Sequence, residues 1–147
     1  MKPSRKRPLL ALWWFSVLLL LNGCGGAEPE CDSLDTHNAV VRIISGDSNN
    51  ALVKYAAKNS NSVAAMVSNT NTEDEKLAVL EEARQGAVYR LDDKIHTNSR
   101  NRATREITCS GLLYVTVGDT IAQKQVDFKV ERTTDGRMSV SVDPFLF

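Results

Sequence analysis

Histidine occurs twice and cysteine three times in 147 residues. No Cys-x-x-Cys is present, and neither His37 nor His96 has a second ligand at zinc spacing, so a metal centre is not expected. Gly-x-Ser-x-Gly, His-Glu-x-x-His and Gly-x-x-x-x-Gly-Lys are all missing. Those spacings tie residue type to acyl transfer, zinc-assisted hydrolysis and phosphate binding, and without them no cofactor and no catalytic residue is expected. An excess of positive charge is lacking too, since 18 Lys and Arg face 18 Asp and Glu. That balance removes the usual electrostatic ground for nucleic-acid binding. Finally, no apolar run is long enough to span a bilayer. The longest, Leu9 to Leu21, would rise about 20 Å as a helix against the roughly 30 Å of a bilayer core.

What surrounds that short run is informative. Lys2, Arg5, Lys6 and Arg7 precede it without an acid, and Leu21-Asn22-Gly23-Cys24 closes it. The order of basic start, short apolar stretch and small residues is that of an export signal. It resembles a bacterial lipoprotein signal peptide ending in a lipobox. The resemblance implies export of the chain, diacylglyceryl transfer to the Cys24 sulfur, cleavage before Cys24 and acylation of the new amino group. In enteric lipoproteins an aspartate after the lipidated cysteine favours retention in the inner membrane. Gly25 stands there, so the resemblance points to the periplasmic face of the outer membrane. Residues 1–23 are then the signal, 24–34 a lipidated tether and 35–147 one globular domain. Removing four basic residues and no acidic ones leaves 14 positive against 18 negative, a net charge of −4.

Cys31 and Cys109 remain as a pair after Cys24. In an oxidising compartment such a pair bonds, and a disulfide is expected to join the start of the domain to a core strand.

The first half of the domain has helical periodicity. Asp35 or Thr36 is placed to cap a segment with Val40, Val41, Ile43 and Ile44 on one face. Ala51, Leu52, Tyr55 and Ala56 recur at helical spacing, and Val63, Ala64, Met66 and Val67 follow a polar break. Thr72-Glu73-Asp74-Glu75 has the form of a capping box, and Gly86 is expected to end its helix in the left-handed conformation. Asp47-Ser48-Asn49-Asn50 starts like a calcium loop. Ala51, Leu52 and Lys58 break that pattern, leaving a helix N-terminus.

The second half switches to a period of two. Ile107 to Val117, Ala122 to Val130 and Met138 to Val142 alternate as strands, with turns at Gly118-Asp119 and Asp135-Gly136 and a charged edge strand over Tyr89 to Thr97. The expected fold is α+β, with N-terminal helices on a three- or four-stranded antiparallel meander. Its element order loosely resembles the cystatin-like and nuclear-transport-factor-like cradles.

The function expected from these features is that of a membrane-tethered periplasmic binding module. An inhibitor, an immunity or exclusion factor and an envelope-assembly accessory all fit, with an envelope protein or glycan as partner. Candidate contacts are Arg100, Arg102 and Arg105, expected in a loop before the Cys109 strand, and Phe145 and Phe147 at the chain end. The competing class is a cell-envelope hydrolase, which requires a pocket converging on His96, Asp92 and Arg105.

Overall fold

The computed structural model describes residues 28 to 143. Cys24, the leader before it and the Phe145 to Phe147 tail lie outside the described residues. Four helices precede five strands: α1 (Leu34–Gly46), α2 (Ala51–Asn59), α3 (Asn61–Ser68), α4 (Glu73–Gln85), β1 (Val88–Leu91), β2 (His96–Asn101), β3 (Glu106–Val117), β4 (Thr120–Arg132) and β5 (Met138–Val142). The strands form one curled antiparallel sheet, a half-barrel in the order β1-β3-β4-β5, with β2 sharing the β3 edge that β1 occupies. The fold is α+β, as expected.

Strand alternation sorts the two faces. Ile107, Cys109, Leu113, Val115 and Val117 on β3, with Ala122, Val126, Phe128 and Val130 on β4, are buried on the concave face. Against them pack Val40 and Ile44 of α1, Leu52, Val53 and Ala56 of α2, and Val63 of α3. Burying each of these Val, Leu and Ile side chains favours folding by about 1.5–3 kcal/mol. The convex face is more polar and holds Arg90 over the Tyr114 ring, 4.3 Å from its centroid. These two residues face each other in the β1–β3 register.

Cys31 and Cys109 are disulfide-bonded, with Cα atoms 5.9 Å apart. The bond fastens the segment before α1 to the sheet's longest pairing, at a point where Thr97 and Phe128 flank Cys109 on either side. Thr97 Oγ1 lies 3.4 Å from Cys31 Sγ, and because that sulfur carries no hydrogen the hydroxyl is the donor.

Several local expectations change. The cap of α1 is Ser33, which accepts from the Thr36 N–H; Thr36 itself is buried and donates to the Glu30 carbonyl at 2.8 Å. The segment expected as a tether is therefore held from Glu28 onward. Pro29 is buried, and Glu28 pairs with Arg100 at 2.9 Å. Gly86 ends α4 at φ −79°, outside the left-handed region, because the Gly86 and Ala87 N–H groups reach the Glu82 and Arg84 carbonyls without it. The capping box of Thr72 and Glu75 is present. Asn50 caps α2 while its amide donates to the Ile44 carbonyl, so the Asp47 to Asn50 stretch joins two helices.

The single edge strand expected over Tyr89 to Thr97 is two strands. β1 pairs with residues 113 to 116 and β2 with residues 106 to 110 of β3. Between them the chain bends over Gly111, where an added Cβ would lie 2.6 Å from Ile95 Cδ1 and 3.1 Å from Leu91 Cδ1. Glycine lets those two side chains close the core over the bend.

Candidate functional site

Two surfaces stand out, at opposite ends of β3. The first is a groove among α2, α3 and α4 with a volume of about 580 Å³. Its floor is apolar: Val53 and Ala57 from α2, Val63 and Val67 from α3, Leu77 and Leu80 from α4. It exists because α4 covers the other helices incompletely. The capping box and the acidic first turn make α4 locally stable, yet no α4 residue is fully buried and Leu77 remains 60% exposed. An apolar side chain thus stands open to solvent beside an apolar floor.

The rim of the groove is charged. Arg84 grips Glu81 through two hydrogen bonds, at 2.7 Å from Nε and 2.5 Å from an Nη. They raise the pKa of Arg84 and, with a further bond from Gln85, hold the Glu81 carboxyl at about pKa 2. That acid is thus satisfied internally. Lys76 reaches Glu73 at 3.5 Å. Lys54 and Lys58, one turn apart on α2, are exposed and have no acidic partner among the described residues. They leave the α2 side of the groove positive.

The second surface is the β2–β3 hairpin. Arg100 is the fifth residue of β2, and Arg102 and Arg105 lie in its turn, so the arginine segment is half strand where a loop was expected. β2 is exposed at every position and carries no hydrophobic alternation. Its place in the sheet comes from backbone pairing and from polar cross-strand bonds, Ser99 to Thr108 at 2.7 Å and Ser110 to Asn98 at 3.1 Å. Arg105 has φ 52°, and its carbonyl accepts from the Arg132 N–H at 3.0 Å. Glu28, Pro29, Arg100, Arg102 and Arg105 border a cleft of about 210 Å³.

His96, Asp92 and Arg105 do not converge. His96 stands opposite Ser110 at the start of β2 and Asp92 lies before it, whereas Arg105 follows the far end of the strand. Asp92 and Asp93 sit in the turn between β1 and β2 rather than on a strand. His37 lies half-buried on α1, its Nε2 enclosed and without a hydrogen-bond partner among the described residues. Among the described residues no group of three His, Cys, Asp or Glu side chains is placed to hold a metal ion.

The groove went unnoticed in the sequence. Leu77, Leu80 and Ala83 have the spacing of an ordinary core stripe, and only the strongly acidic remainder of α4 points to shallow packing. Comparison with protein-family models, curated proteins and solved structures finds no match to this chain.

Proposed function

We propose that the protein is a lipid-anchored binding module of the bacterial envelope, tethered through Cys24 on the periplasmic side of the outer membrane. Its partner is an envelope protein that inserts an amphipathic segment into the α2–α3–α4 groove. The observation that carries this reading is the groove itself, with an apolar floor, a half-open Leu77 and two cationic side chains that have no acidic partner among the described residues. A segment with apolar residues on one face and carboxylates toward Lys54 and Lys58 would match both features. The curl of the sheet around helices supports reading the scaffold as a cradle of the cystatin-like or nuclear-transport-factor-like kind. A seat of this kind fits an inhibitor, immunity, exclusion or assembly role, none of which requires a catalytic side chain.

Photo-crosslinking in intact cells tests the reading. A crosslinking side chain at Leu77 is expected to capture a discrete partner, and Lys54→Glu/Lys58→Glu is expected to abolish the product. The same probe at Ile121, exposed on the convex face, serves as control. Equal labelling from both positions, or a Leu77 product indifferent to the charge reversal, would remove the groove as the seat.

A further inference from the structure

We infer that the β2–β3 arginine hairpin faces the membrane carrying the protein and binds the phosphates of its anionic phospholipids. The inference rests on the anchored reading above and adds which end of the domain meets the bilayer. Chain length sets the limit. Four residue steps separate Cys24 from Glu28, and an extended chain spans at most about 3.6 Å per residue, so Glu28 stays within about 14 Å of an anchored Cys24. Glu28 is itself bound to the hairpin, holding Arg100 Nη1 at 2.9 Å beside the buried Pro29. The hairpin is thereby leashed near the headgroups, and a tether short of full extension brings it within the Debye length of about 8 Å at physiological salt.

Charge complementarity points the same way. Residues 98 to 105 contain three arginines and no acid. Four of the nearby acids are already engaged, Glu28 by Arg100, Glu106 and Glu131 by Lys129, and Asp135 by Arg137, while Glu30 and Asp32 beside the disulfide stay exposed. Arg102 and Arg105 are exposed and have no acidic partner among the described residues. Each guanidinium offers a planar fork of donors that suits a phosphate better than a lysine ammonium would. The positive φ of Arg105 is unusual for a residue other than glycine, and such strain gathers at positions with a contact to make. In this orientation the groove lies away from the bilayer. The N-terminus of α3 is tied to the β3–β4 turn, the full length of β3 from the hairpin.

The test uses residues 24–147, which hold the whole described core and the disulfide. With Cys31 and Cys109 bonded, the Cys24 thiol is coupled to a maleimide lipid in vesicles of phosphatidylcholine, with or without phosphatidylglycerol. Hydrogen exchange of the Asn101 to Arg105 amides is expected to slow several-fold when phosphatidylglycerol is present. Added salt is expected to erase the effect, as is Arg102→Glu/Arg105→Glu, with the melting temperature unchanged. Equal exchange in the two membranes, or slowing that survives the double substitution, overturns the proposal. Chemical coupling makes the result independent of acylation in the cell. The mass of the natural N-terminus, acylated Cys24 or intact Met1, decides the anchored reading separately.

Discussion

Asp119 does more than complete a hairpin. It follows Gly118, whose φ of 56° suits the first position of a tight turn, and its carboxylate reaches across to α3. There it accepts from Ser60 Oγ at 2.6 Å and from the Ser62 N–H at 3.1 Å, while Ser60 caps the helix through Val63. A turn residue thus supplies negative charge to the N-terminus of a helix nearly sixty residues earlier, where the helix dipole favours it. These hydrogen bonds lower its pKa from 3.8 to about 2. A carboxyl whose folded pKa is depressed contributes stability above its unfolded value and loses it as the pH falls toward the folded one. Asp119→Asn is therefore expected to melt below the parent at neutral pH, with the gap closing between about pH 4 and pH 2. Thermal melts across that range check it, and a gap independent of pH would rule out the charge as the cause. The neighbouring glycine is equally constrained, because a Cβ at Gly118 would collide with the Ser60 and Ser62 hydroxyls.

At the scale of elements, the helices differ in how firmly they are held. α2 places Leu52 and Val53 in the core at 2% and 1% exposure, whereas α4 relies on its cap and on partial cover of Leu80 and Ala83. Leu52→Ala is expected to destabilise the domain by about 2–5 kcal/mol, and Leu77→Ala by no more than about 0.5 kcal/mol. Urea unfolding measures both, and native-state exchange should find α4 opening before α2. This contrast also explains what the sequence could reveal. Alternation along Ile107 to Val117 and Ala122 to Val130 was readable because one sheet face is buried, and the Thr72 capping box because its logic is local. β2 was not readable, since His-Thr-Asn-Ser-Arg-Asn pairs through its backbone and two polar side-chain bonds, with no hydrophobic alternation. The Ser33 cap was missed because two other capping residues follow it within three positions. The groove escaped because periodicity shows which face of α4 is apolar, not how completely its neighbours cover that face.

For the whole molecule, the Cys31–Cys109 bond closes a loop with a sequence separation of 78, enclosing α1 to α4, β1 and β2. The chain-entropy relation assigns a loop of this length about 4 to 5 kcal/mol before native strain is subtracted. Cys31→Ser/Cys109→Ser is expected to lose about 2–5 kcal/mol, and a reductant should lower the melting temperature of the parent but not of the double variant. An unchanged parent under full reduction would count against that role. The placement of the bond also sets a load path. Tension on the N-terminal end passes through Pro29 to Cys31 and crosses the sulfurs into β3, which β4 grips along its whole length. The helices hang outside that path as slack, so a pull strong enough to move the domain leaves α1 to α4 unstretched. Only with the bond reduced would the same force peel α1 from the sheet.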